Sequence, residues 1–176
     1  MIEFRILPQR PQDPALFDSL LDRTFGADRL AKTVYRLREG VADIEALRFV
    51  AVDAEGRLLA SLRFWPILIE TAPAILLGPL AVEPALQGRG IGKALVRHGL
   101  SEVRRLGQRI CVVVGGPEYY GPFGFTSAVA AGLVLPGPVE PERFQVLELE
   151  PGALEGLRGM IGPAPGASGR SLDAAG

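Results

Sequence analysis

Cysteine is nearly absent. Cys111 stands alone, so no disulfide can form within the chain. Histidine is as scarce: His98 is the only one, and one Cys with one His does not build the usual zinc sites, so no metal is expected. Charge of one sign is lacking too, because 19 Lys+Arg against 20 Asp+Glu leave a net charge of -1. That balance offers no basic excess for nucleic acid and no acidic block for a disordered tail. The apolar run from Thr71 to Val82 falls well short of the roughly 18 residues a membrane span needs. Pro73, Gly78 and Pro79 interrupt it. Met1-Ile2-Glu3-Phe4-Arg5 is not a basic region followed by an apolar run, so no secretory leader is expected. The expectation is a cytoplasmic protein without a membrane partner.

Hydrophobic residues make up 48% of the chain, enough for a core in one domain. Ile2 to Leu7 alternates as a strand should, and Pro8, Pro11 and Pro14 break it. Asp13 with Pro14 behind it is a helix start, with Leu16, Phe17, Leu20 and Leu21 along one face. A second helix is predicted from about Asp28 to Arg38. Leu47 to Val52 and Leu58 to Ile69 flank the turn Asp53-Ala54-Glu55-Gly56 as an antiparallel hairpin. Ala74 to Val82 reads as a buried fourth strand. A helix from about Gly90 to Leu106 and a strand from Arg109 to Val114 follow, a βαβ unit whose two strands should be parallel. A short helix spans about Pro117 to Gly121. Val129 to Leu135 and Phe144 to Leu149 read as closing strands. Residues 1–155 are predicted to form one domain, and 156–176, rich in Gly, Ala and Pro, a tail.

Glycines alternate at 88, 90 and 92 between the fourth strand and the helix. A helix N-terminus offers unpaired N–H groups and partial positive charge, and glycine lets backbone approach an anion closely. Arg89 and Lys93 add cations, so the loop is a candidate phosphate cradle. The plainer reading is an ordinary tight turn. The dinucleotide fingerprint fails, since Leu95 or Lys93 stands where its last glycine belongs. The nucleotide P-loop fails because Gln87 and Ala94 occupy two of its required positions.

The run Gln87-Gly88-Arg89-Gly90-Ile91-Gly92, after Leu80-Ala81-Val82-Glu83-Pro84, resembles the signature of the GNAT superfamily of N-acetyltransferases. Tyr120-Gly121-Pro122-Phe123-Gly124-Phe125 resembles its second signature, and Pro117-Glu118-Tyr119-Tyr120 resembles a bacterial subgroup of predicted N-acetyltransferases. The resemblance implies an α/β (α+β) fold with a mixed, mostly antiparallel central sheet of six to seven strands flanked by helices. It implies acetyl-CoA as acyl donor and a small-molecule or peptide amine as acceptor. Backbone groups of Leu80, Ala81 and Val82 would pair with pantetheine and the thioester, with the Val82 N–H polarising the carbonyl. Gln87, Gly88, Arg89, Gly90, Ile91, Gly92 and Lys93 would hold the pyrophosphate, with Phe123 also against the coenzyme. Tyr120 would serve the departing sulfur, though it is also readable as a packing tyrosine. Glu83 and Glu118 are the carboxylates nearest in sequence to act as base. Gly115-Gly116-Pro117 replaces the asparagine that many members place after the fifth strand. Dimers are frequent in the superfamily. A non-catalytic acyl-CoA-binding sensor would keep the same loop. His98, Cys111 and Trp65 read as helix-surface, core and packing residues.

Overall fold

The computed structural model describes residues 2–26 and 32–164. These fold as two compact units. The first holds residues up to 32, 44–64 and 77–107; the second holds 33–43, 65–76 and the described chain from 108 onward. Strands β3 (Leu58–Ile69) and β4 (Ala72–Val82) run through both.

In the first unit, β1 (Arg5–Pro8) lies antiparallel to β2 (Phe49–Val52), with Ile6 opposite Ala51. β2 pairs antiparallel with the first half of β3, Phe49 opposite Leu62, with a register shift at Ala51/Val52. Helix α1 (Asp13–Phe25) buries Phe17, Leu20 and Leu21 with Ala81 of β4. Asp13 starts the helix as expected but does not cap it, since no side chain bonds the first helical N–H groups. The Asp13 carboxylate turns back to accept the Arg10 backbone N–H at 2.6 Å and the Arg10 guanidinium at 2.8 Å. Arg10 in turn donates to the Gly56 carbonyl at 2.7 Å, tying the helix start to the β2–β3 turn. Helix α2 (Ile91–Arg105) buries Ile91, Leu95, Val96, Leu100 and Val103. Gly99 lets it close on β3: a Cβ there would stand 2.8 Å from Phe64 Cε2 and 2.9 Å from Leu62 Cδ2.

In the second unit, β4 pairs in parallel with β5 (Ile110–Val114) at Ile75–Cys111 and Leu76–Val112, the geometry a βαβ connection requires. β5 continues antiparallel to β8 (Phe144–Glu148), which pairs with β6 (Thr126–Ser127). β7 (Leu133–Val134) runs parallel to β9 (Gly159–Pro163), and β9 runs antiparallel to the second half of β3. Leu37, Ile67, Ile69, Leu76, Val112, Phe144, Val146 and Ile161 form the core. Short helix α3 (Pro117–Tyr120) follows β5. The result is the mixed, mostly antiparallel α/β sheet flanked by helices, with nine strands among the described residues.

Three segments differ from expectation. The described part of the second predicted helix is a 3-10 turn, Thr33–Arg38, and Asp28–Ala31 lie outside the described residues. Only Leu133 and Val134 of the strand predicted at 129–135 pair as strand. Ahead of them Ser127 Oγ accepts the Ala130 N–H at 3.1 Å and closes a turn. Residues 159–163, placed in the tail, are β9; residues 165–176 lie outside the described chain. No helix among the described residues is long and apolar enough to cross a membrane.

Candidate active site

The glycine loop belongs to the first unit. A 3-10 turn, Pro84–Leu86, takes the chain off β4. Gly88 and Gly90 then adopt φ +79 and +88, a left-handed backbone that side chains disfavour. Gly90 caps α2 in that conformation with no side chain satisfying the first helical N–H groups. A Cβ at Gly88 or Gly90 would meet nothing within 4 Å, so the backbone there is open to a ligand. Arg89, Gly90 and Lys93 are exposed, while Ile91 and Gly92 are buried and root the loop in the core. An exposed helix start with uncapped donors and two flanking cations could hold an anion. The loop glycines thus stand where the sequence placed them.

Gln87 does not lean on that cradle. Its Nε2 donates to the Val82 carbonyl at 3.3 Å. The Thr24 hydroxyl, at the end of α1, has its one proton between two carbonyls, that of Leu20 at 2.8 Å and that of Val82 at 3.4 Å. The Glu83 N–H donates to the Leu59 carbonyl of β3 at 2.9 Å. A trans peptide points its C=O opposite to its N–H, and an extended residue points both its groups one way. The Val82 N–H and C=O therefore face the edge of β4 opposite β3. The Glu83 side chain is held by Arg23: Nη2 bonds Oε1, Nε lies 3.4 Å from Oε2, and Nη1 reaches Ser19 Oγ at 2.9 Å. Arg23 and Thr24 were not legible in the sequence, because they lie some 60 positions away from the residues they touch.

Tyr120 and Phe123 belong to the second unit. Pro117 starts α3, and the chain passes through Pro122 as a 3-10 turn, Gly121–Phe123, that ends at left-handed Gly124. The Tyr120 ring is buried, edge-on to Tyr119 at 4.9 Å and to Phe125 at 5.7 Å, with Phe123 at 6.4 Å. Burial, and then the neighbouring Tyr119 and Cys111, push its phenol well above the usual tyrosine value, with Arg143 opposing weakly. The phenol therefore keeps its proton throughout the physiological range.

Gly115 explains the missing asparagine. A Cβ there would sit 2.8 Å from Tyr120 Cδ2 and closer still to Cε2, so the ring lies where a side chain would be. Its peptide groups are engaged as well: its N–H donates to the Arg143 carbonyl and its C=O accepts Gln145 Nε2, each at 2.8 Å. Gln145, buried among apolar neighbours, and Gly115 were missed from sequence. The departure at Gly115-Gly116-Pro117 was the signal that pointed there.

The other candidates differ in exposure. Glu118 is exposed and folds over Gly116. His98 is exposed on α2, edge-on to Phe49 at 4.9 Å. Cys111 is buried in β5. Trp65 packs on the second unit's core, with the Arg38 guanidinium 5.4 Å from its ring centre. Among the described residues no group of three His, Cys, Asp or Glu side chains converges.

Residues 15–116 match the Acetyltransferase (GNAT) family. The chain is 34% identical over 153 residues to the uncharacterized N-acetyltransferase YhbS of Escherichia coli strain K12, covering 86% of this chain and 90% of that one. A crystal structure of Escherichia coli YhbS in complex with CoA superposes with a TM-score of 0.79 at 31% identity, covering 93% of this chain and 91% of that one. A GNAT family acetyltransferase of Brucella melitensis in complex with acetyl-CoA gives a TM-score of 0.63 at 31% identity, covering 86% and 91%. The chain belongs to the Acetyltransferase (GNAT) family and is an acyltransferase.

Proposed function

We propose that this chain acts as an N-acetyltransferase that moves an acetyl group from acetyl-CoA to a primary amine in a ternary complex. The observation that carries this reading is the open, left-handed glycine cap of α2 directly after β4. The similar proteins crystallised with CoA and acetyl-CoA support it. Backbone N–H groups from Arg89 to Lys93 take the pyrophosphate, with the two side-chain cations beside them. Leu80, Ala81 and Val82 offer strand-edge groups to the pantetheine arm and thioester, and Phe123 packs on the coenzyme.

The chemistry needs few residues. The amine nitrogen attacks the thioester carbon, the C–S bond breaks, and the ammonium proton leaves through water to a carboxylate such as Glu83 or Glu118. The Val82 N–H stabilises the oxyanion, a contribution of about 3 kcal/mol where such donors have been removed. The Tyr120 phenol, with its acidity lowered by burial, serves the departing sulfur as a hydrogen-bond donor. Cys111 lies inside β5, so no covalent intermediate passes through it. We place this reaction in the cytoplasm, with a small-molecule or peptide acceptor and, as for many relatives, a homodimer.

Acetyl-CoA-dependent acetylation of an amine panel tests the reading. Tyr120→Phe should lower kcat by about 10²-fold with CoA affinity retained. A sensor module would bind acetyl-CoA and acetylate nothing in any variant.

A further inference from the structure

The end of β4 is clamped from α1. Arg23 grips both oxygens of Glu83 and reaches Ser19 with its remaining nitrogen. Thr24 and Gln87 converge on the Val82 carbonyl. Helix α1 is itself fixed at its other end by the Arg10–Asp13 pair, in which Asp13 is 1% exposed. Phe17, Leu20 and Leu21 anchor it between. Helix α1 thus holds the last residue of β4 by its carbonyl and the residue after it by its side chain.

The geometry points to Arg23 and Thr24 as positioning residues for the reaction: they aim the Val82 N–H at the acetyl carbonyl by holding residues 82 and 83 at the strand edge. The inference rests on the acetyl-CoA reading above. Three features favour it over a merely structural contact. Val82 is the last residue of β4, where a strand frays unless tied. Its carbonyl shares one edge with its N–H, so a donor on the first fixes the direction of the second. Arg23 is 46% exposed and Glu83 26%, so the pair contributes little to stability. Orientation is where such a pair has most effect, since small displacements of a catalytic donor cost rate steeply.

The test reads polarisation of the acetyl group directly and needs no acceptor. Acetyl-CoA labelled with carbon-13 at the carbonyl is bound to the wild type, to an Arg23→Gln, Thr24→Val double variant, and to an Arg23→Lys, Thr24→Ser double variant. Unlabelled CoA affinity and thermal midpoint are measured on each. The expected result is a downfield displacement of the bound carbonyl resonance in the wild type. The first variant should lose most of it, the second should restore it, and CoA affinity and midpoint should match throughout. An equal displacement in all three proteins, or an equal loss in both variants, overturns the inference. Should a double variant fold poorly, Thr24→Val alone against Thr24→Ser reads the same resonance. Wild type that binds acetyl-CoA without displacement overturns the inference and leaves the cofactor reading standing. Wild type that does not bind at all overturns both.

Discussion

At the scale of single residues, the site depends on glycines for two different reasons. Gly88 and Gly90 are required by backbone conformation, with open space above them; Gly115 is required by crowding, with the Tyr120 ring above it. Gly115→Ala should cost about 1–3 kcal/mol, because the ring must leave its seat. Gly162→Ala is the control: no positive φ holds it and a Cβ there meets nothing within 4 Å, so a change within about 0.5 kcal/mol is expected. Chemical denaturation of both variants checks this. Burial also makes Tyr120 a titration probe. In the unfolded chain its phenol ionises near the ordinary value of about 10, and in the fold well above it. The stability linked to that shift is complete below about pH 10 and is lost as pH rises through the folded-state value. Wild type should therefore lose stability more steeply than Tyr120→Phe between about pH 9 and 11 in denaturant titrations. The loop glycines were legible in the sequence because positive φ is a local demand that one residue type meets. Gly115 was not, because what forbids a side chain there is a ring five residues away whose rotamer no pattern encodes.

At the scale of elements, two contacts set where the helices lie. Asp13→Ala removes the acceptor of the Arg10 guanidinium and backbone N–H, and should cost about 2 kcal/mol. Gly99→Ala drives a methyl into Phe64 and Leu62 and should cost about 1–3 kcal/mol, with α2 pushed from β3. Thermal melts of the two variants measure these losses. Elements with strong periodicity or flanking turn chemistry were legible: α2, the β2–β3 hairpin around Asp53–Gly56, and parallel β4 and β5. The failures share a cause. Val129 to Leu135 carries β-branched residues, yet Ser127 closes a local turn that outweighs propensity. Gly159–Pro163 has the composition of a loop, yet the Glu70 side chain and backbone hold Met160 at 3.0 Å and β3 supplies a ladder. Gly159 adopts φ +112, with the Glu70 carboxylate lying where a Cβ would stand. Partners distant in sequence decide both cases.

At the scale of the whole molecule, the order of strands and helices was legible from periodicity and turn residues, and the family from two spaced motifs. The C-terminal limit of the fold was not, since it depends on β9. A chain ending at Leu157 would delete fully buried Ile161 and should lose at least about 2 kcal/mol, seen as a lowered thermal midpoint. A domain complete at residue 155 would show no loss. The nearly neutral chain carries no net field to attract CoA, so binding must come from the local donors of the α2 cap. Calorimetry of acetyl-CoA with wild type and Gly90→Glu tests that claim most directly. The account predicts micromolar-range binding by the wild type, about −8 kcal/mol, abolished in a variant that sets a carboxylate where pyrophosphate belongs. No binding by folded wild type, or equal binding by the variant, would contradict it.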